Sequence, residues 1–178
     1  LPHRIGRYVV LHELGAGAMG VVLLAYDREL DRKVAIKRVQ PSHSNDRDSI
    51  ARMRREGKAL ARVSHPNIVQ VYEVGIDDGA LYLAMEFIAG QTLKQWAGPD
   101  RSWREVLEVH LQAARGLAAA HRSGLVHRDY KPANVMIGED GRVRVLDFGL
   151  VRRAEAAAND PEDGSEVTPP HQSATELL

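Results

Sequence analysis

His127-Arg128-Asp129-Tyr130-Lys131-Pro132-Ala133-Asn134 is the stretch on which the reading of this chain turns. It sets a carboxylate, an ammonium and a side-chain amide within six residues, Asp129 to Asn134. An apolar-periodic segment precedes it, and a short β-like run, Val135-Met136-Ile137, follows. Asp129 can accept a hydroxyl proton, Lys131 can steady a phosphoryl group, and the amide oxygen of Asn134 suits a hard cation such as Mg²⁺. The plain alternative is a polar turn broken by Pro132. So many functional groups at this spacing argue against chance.

Downstream, Val143-Arg144-Val145-Leu146 reads as another short strand, joined to the first by Glu139-Asp140-Gly141. Asp147-Phe148-Gly149 follows and places a hard oxygen ligand at the end of an apolar strand. Alone, that is a common strand-ending turn. Upstream, Ser102 and Glu105 have the spacing of a capping box. Val106, Leu107, Val109, Leu111, Ala114, Leu117, Ala118 and His121 then carry an apolar helical face towards Gly124, a suitable stop.

The first half is β-rich. Arg7 to Leu11, Val21 to Tyr26 and Val34 to Val39 predict three short antiparallel strands. Residues 46–62 switch to helical spacing, with Ile50, Met53, Gly57, Leu60 and Ala61 among many charges, and Ser64-His65-Pro66-Asn67 breaks that helix. Ile68 to Val74 and Leu81 to Phe87 predict two more strands around an Asp77-Asp78-Gly79 turn. That makes five strands and one helix by residue 88.

Gly15-Ala16-Gly17-Ala18-Met19-Gly20 is weak evidence alone. A dinucleotide fold needs a helix directly after the glycines, and β-branched Val21-Val22 stand there instead. A P-loop needs Gly-Lys-Ser/Thr, which is missing. A glycine-rich hairpin over nucleotide phosphates and an ordinary glycine-rich turn both remain open. Lys37 lies 22 residues beyond Gly15, a distance that suits the next hairpin strand folding back under the glycines. A strand lysine is more often solvent-facing. If Lys37 meets phosphates it needs a carboxylate to hold it, and Glu56 is a candidate, though a helix glutamate is usually solvated.

Composition removes several classes. The chain has 178 residues, 24 basic against 24 acidic, and 44% are apolar, so wholesale disorder is excluded. Zero net charge argues against a nucleic-acid coat or a polybasic membrane binder. With no cysteine there is no disulfide framework, Cys zinc site or thiol chemistry. The eight histidines include no H-x-x-x-H pair, which excludes a zinc protease. No apolar run is long enough to span a membrane, and the start lacks a secretion signal. No nucleic acid and no membrane contact within this segment are expected. The setting expected is cytoplasmic, with a membrane anchor outside the segment left open. Residues 154–178 have three prolines, no aromatic residue and no periodicity, and read as a long loop or disordered tail.

Taken in order, a glycine loop, a strand lysine, a helix glutamate, H-R-D-x-K-x-x-N and D-F-G resemble the protein-kinase signature set. The resemblance covers residues 8 to about 153. Lys131 resembles the serine/threonine class rather than the tyrosine class. Ser64-His65-Pro66-Asn67-Ile68-Val69 and the Ala-rich helix before His127 are similar to the bacterial, Hanks-type members.

The resemblance implies an α+β, two-lobe fold. Residues 8–88 would form the N-lobe, a five-stranded antiparallel sheet plus one helix. Residues 89–153 would begin a helical C-lobe, only partly present, and 154–178 would belong to the activation segment. The implied cofactors are ATP and Mg²⁺, and the implied partners are proteins carrying Ser/Thr hydroxyls. Gly15, Gly17 and Gly20 would cover the ATP phosphates, and Lys37 would contact them while pairing with Glu56. Asp129 would take the hydroxyl proton, Lys131 would stabilise the moving phosphoryl group, and Asn134 and Asp147 would hold Mg²⁺. Leu14, Val22, Ala35 and Met136 would sandwich adenine. Met85 sits at the gatekeeper position, and Glu86 and Ile88 would offer backbone groups to the base. Leu60, Val71, His127 and Phe148 fall where the family stacks its regulatory spine.

The chain ends 31 residues after Asp147, whereas family domains run to about 250 residues. Truncation within the activation segment is therefore expected, and a chain made alone is expected to be inactive and poorly stable. Leu107, Leu111 and Leu117 would lose part of their cover. The rival expectation is a kinase-like module that binds nucleotide or partners and transfers nothing.

Overall fold

Strand alternation builds the first layer. The structure, a computed structural model, describes residues 3–17, 20–39 and 47–148, without the side chains of residues 47–50, 52, 53 and 56. Six strands form one antiparallel sheet: β1 (Arg4–Ile5), β2 (Tyr8–Gly17), β3 (Gly20–Asp27), β4 (Arg32–Val39), β5 (Val71–Asp77) and β6 (Ala80–Glu86). Their spatial order is β1-β2-β3-β4-β6-β5. The period-two pattern of β4 divides its side chains between two faces. Val34 and Ile36 pack with Ile5, Tyr8, Ala25, Tyr82 and Ala84 on one face. Ala35 and Val39 pack with Leu81, Leu83 and Met85 on the other.

Helix α1 (Arg47–Ala61) covers this second face. Its approach is close at Gly57, where a Cβ would stand 3.2 Å from the Val74 methyls. Leu60 is buried beneath it. The same cluster runs on through Ile68 and Val69 into the second half. There it takes in Val109, Ala113, Ala119 and Ala120 of α3 (Trp103–Arg122), together with Val135, Val143, Val145 and Phe148. Burying one such aliphatic side chain contributes roughly 1.5–3 kcal/mol, so this shared core is what holds the two halves together.

Between the halves, β7 (Gly90–Thr92) leads into a single helical turn, α2 (Leu93–Trp96). With β8 (Val135–Gly138) and β9 (Val143–Val145), β7 forms a second antiparallel sheet, ordered β7-β8-β9. Helix α3 begins as its sequence dictates. Ser102 Oγ accepts from Glu105 N–H at 3.3 Å, and Glu105 Oε2 accepts from Ser102 N–H at 2.8 Å. It ends at Gly124, whose φ of +74° turns the chain while its N–H donates to His121 O.

The five expected strands and the helix are present, and the two-residue β1 is an addition. Two boundaries need correcting, the first being that the strand expected to end at Leu11 runs on to Gly17. The strand expected from Ile68 begins instead at Val71, because Ile68 and Val69 are spent on β9. Ile68 bridges Val145, and Val69 N–H donates to Val145 O at 3.1 Å. Neither β7 nor α2 was foreseen. Of the three leucines expected to lack cover, Leu107 and Leu111 are exposed, whereas Leu117 packs against the core. The expected tail at 154–178 lies outside the described residues. Among the described residues, no helix is long and apolar enough to cross a membrane.

Candidate active site

The three glycines lie at the paired ends of β2 and β3, with Gly15 opposite Val22 and Gly17 opposite Gly20. They are not equivalent. Gly20 has φ +121°, and a Cβ there would run into Arg38 O of the neighbouring β4. Gly15 and Gly17 have no described atom within 4 Å of the place a Cβ would take. Among the described residues, a neighbour excludes a side chain at position 20 and none does at 15 or 17. Val22 pairs with Gly15 on one side and with Lys37 on the other, so the strand lysine lies in register with the glycine hairpin, one strand further along the sheet.

Lys37 is not solvent-facing; it is 8% exposed. Its Nζ lies 2.7 Å from Asp147 Oδ1. Glu56 lies on α1, and its expected pairing with Lys37 falls outside the described side chains. Asp147 holds a left-handed backbone, φ +53°, as does Arg128 at +62°. Non-glycine residues adopt this conformation at a cost of about 1–3 kcal/mol, and such strain gathers at functional sites.

The 127–134 segment is a self-bonded loop between α3 and β8. Lys131 Nζ lies 2.8 Å from Asp129 Oδ2. Asn134 Nδ2 donates to Asp129 O at 2.9 Å and to its Oδ2 at 3.2 Å. Pro132–Asn134 form one 3-10 turn, which buries Asn134. Buried His127 ties this loop to the next one. Its Nε2 lies 2.6 Å from Leu146 O, and its Nδ1 accepts Asp129 N–H at 3.3 Å. A carbonyl can only accept, so Nε2 donates to Leu146 O. Leu146 N–H donates in turn to Asn134 O at 2.8 Å, which brings Asn134 beside Asp147.

Asp129, Lys131, Asn134, Asp147 and Lys37 are thus one neighbourhood built from three separate stretches of sequence. The apolar residues assigned to adenine are spread over the first sheet, the segment after β6, and β8. Ala35 and Met85 are paired across β4 and β6 and are buried. Val22 and Ile88 are partly buried against the same core, Met136 is partly buried on β8, and Leu14 is exposed at a β2 irregularity. Leu60, Val71 and Phe148 share one core cluster, and the His127 ring stands 4.7 Å from that of Phe148.

Asn134 and Asp147 supply hard oxygen donors, which fit Mg²⁺. That ion takes one or two protein ligands and completes its shell with water and phosphate. Among the described residues, no cluster of three or more His, Asp or Glu is arranged for a metal.

Two constraints escaped the sequence reading. Asn67 Nδ2 donates to Val143 O at 2.8 Å and to Gln112 Oε1 at 3.2 Å, fastening the loop after α1 to β9 and α3. Arg144, which reads as an outward charge on a strand, is buried against Glu86 and Asp140. Arg144 between two valines was a weak signal of the second, and nothing in Ser64-His65-Pro66-Asn67 signalled the first.

The chain is similar to known proteins. Bacillus subtilis "Serine/threonine-protein kinase PrkC" is 41% identical over 148 residues, which is 82% of this chain and 23% of that protein. "Serine/threonine-protein kinase PknL" of Mycobacterium tuberculosis is 41% identical over 155 residues, 85% of this chain and 39% of that protein. The crystal structure of the Mycobacterium tuberculosis PknI kinase domain superposes with a TM-score of 0.72 at 33% identity. It matches 84% of this chain and 62% of that one. The chain therefore spans less than half the length of these two curated relatives. The sequence model of the protein kinase domain matches residues 8–177. With nearly the whole chain inside that match, this is a member of the protein kinase family.

Proposed function

We propose that these residues belong to an enzyme transferring the γ-phosphoryl group of ATP to Ser or Thr hydroxyls of proteins. The observation that carries this reading is the meeting of Asp129, Lys131 and Asn134 with Lys37 and Asp147 around one cleft. The protein kinase family implies ATP and a divalent metal; the hard donors Asn134 and Asp147 favour Mg²⁺. When bound, that ion neutralises phosphate charge.

The chain's own residues do the rest by positioning. The β2–β3 hairpin offers backbone N–H groups above the phosphates. Lys37 brings a nearly buried ammonium to their side, and it is pre-oriented by Asp147. Asp129 accepts the proton of the attacking hydroxyl. Lys131, already 2.8 Å from that carboxylate, lies where negative charge develops on the moving group. Asn134 holds Asp129 in place through two hydrogen bonds from its amide. The base thus keeps its aim when Lys131 turns to the phosphate. A lysine two residues after the base fits the serine/threonine class, and the curated relatives carry that name.

Asp129→Asn in the complete gene product is the test. Loss of a general base lowers kcat by about 10²–10⁴, while nucleotide affinity stays close to wild type. Full turnover in that variant would remove Asp129 from the role. Nucleotide binding without phosphoryl transfer to any protein by the wild type would favour a non-catalytic binding module instead.

A further inference from the structure

Behind the cleft, residues 86–90 join the two halves of the molecule, and they are held from one side by the β8–β9 hairpin. Arg144 of β9 is the centre of that hold. Its side chain is 5% exposed, yet the guanidinium meets two carboxylates. Nη2 lies 2.9 Å from Glu86 Oε1 and 2.7 Å from Asp140 Oδ2, and Nη1 donates to Asp140 Oδ1 at 2.9 Å. The bidentate bond to Asp140 fixes the plane of the fork, and the fork then fixes Glu86. These bonds hold the Asp140 carboxyl well below the usual carboxylate range.

The backbone supports the same contact. Glu139 N–H donates to Ala89 O at 2.8 Å, and Gly90 pairs with Gly138. Gly138 leaves the space the latch occupies: a Cβ there would stand 2.5 Å from Asp140 Oδ1 and 2.8 Å from Arg144 Nη1. On the sheet side, Glu86 N–H is already donated to Gln70 O at 2.9 Å. Glu86 is therefore anchored by its backbone to the N-terminal half and by its side chain to the C-terminal half.

We propose that Arg144 is a positioning residue for nucleotide binding: by clamping Glu86 it sets the placement of the 86–89 connector, the edge against which a purine base lies. This rests on the reading of the cleft as a nucleotide site. Arg144 bonds Glu86 and Asp140 and is not one of the groups assigned to the phosphates, Lys37 and Asp147. Its loss should act on the base and spare the phosphates.

The test uses the complete gene product and three ligands: ATP, adenosine for the base edge, and inorganic tripolyphosphate for the phosphate end. Arg144→Met is expected to weaken ATP and adenosine roughly tenfold or more, the scale of a lost charge-assisted hydrogen bond. Tripolyphosphate binding and kcat at saturating ATP should be little changed. Arg144→Lys, which keeps the charge and loses the fork, should recover part of the affinity. Arg144→Met also leaves two carboxylates facing each other. If that variant does not fold, Asp140→Asn, which releases the plane of the fork and leaves Glu86 intact, is read in its place and should show the same selective loss in smaller measure. Unchanged adenosine affinity in a folded variant would overturn the proposal. Equal weakening of all three ligands would overturn it too, because it would show only general damage. A wild type that binds neither ATP nor adenosine would instead bring down the nucleotide reading, and this inference with it.

Discussion

Lys37 and Asp147, 110 positions apart in the sequence, meet with Nζ and Oδ1 2.7 Å apart. The lysine end of this pair is nearly buried and the aspartate end is more open. The lysine stands on the sheet and the aspartate just beyond β9, so the contact couples the two halves directly across the cleft.

A double-mutant cycle on this pair follows. Lys37→Met and Asp147→Asn should each destabilise the fold by about 1–3 kcal/mol, as expected when one partner of a partly buried charged bond is lost. The double variant should cost less than the sum, with a coupling of roughly 0.5–3 kcal/mol. Urea melts of the four proteins measure it, and strict additivity would show that the pair adds nothing to stability.

Gly116 sets how close α3 comes to the loop after α1. A Cβ there would run into Asn67 O, the carbonyl that also accepts Val145 N–H at 3.0 Å. Helix propensity alone favours Gly116→Ala by about 1 kcal/mol. Overpacking costs about 1–3 kcal/mol, and a backbone obstacle cannot swing aside as a side chain would. The expected net result is destabilisation, read as a lower denaturation midpoint. A stabilised variant would mean that the helix can shift freely.

Tyr8 and Tyr82 both donate to Glu73, at 2.8 and 2.7 Å. Burial first, and then the bond to Glu73, push the Tyr8 phenol up to about 12; burial drives Tyr82 the same way. Unfolded phenols ionise near 10, so the folded state holds these protons more tightly. The stability they contribute is intact below about pH 10 and is lost as pH rises through the folded value. Unfolding free energy should fall across that window. Glu73→Gln should bring the phenolate absorbance of Tyr8 to lower pH. An unmoved titration would show that Glu73 has no part in it.

Trp103, Val106, Leu107 and Leu111 leave one side of α3 apolar and exposed. The polypeptide of these residues should bind a hydrophobic dye, and Leu107→Gln with Leu111→Gln should reduce that binding. Because both are exposed, each substitution should change stability by no more than about 0.5 kcal/mol. A large loss of stability would show that the leucines are covered in solution.

Some elements could be read from local chemistry alone. Ser102 and Glu105 specify the start of α3 within four residues, and alternation in 34–39 specifies a strand. The association of 127–134 with Asp147 came from the order of the motifs and the resemblance it carries, since Asp147-Phe148-Gly149 alone reads as a strand-ending turn. Other features depend on pairing between distant segments. Ile68-Val69 has the composition of a strand, but whether it extends β5 or bridges to Val145 is decided by the second half of the chain. Two-residue β1 is too short to show a period. Arg144 looks solvated on a strand until Glu86 and Asp140 are brought to it, and whether Lys37 faces water or the cleft follows only from how the hairpins stack.

The unequal roles of the three glycines give the cleft a built-in place for a reporter. Position 20 admits no side chain, since Arg38 O occupies the space, so any substitution there reads out damage. Positions 15 and 17 have room, and the chain contains no cysteine. A Gly15→Cys or Gly17→Cys substitution would therefore introduce the molecule's only thiol at the hairpin tip without disturbing the described packing. Its rate of alkylation then becomes a clock for occupancy: slow when something lies against the hairpin, fast when nothing does, and independent of whether any chemistry follows.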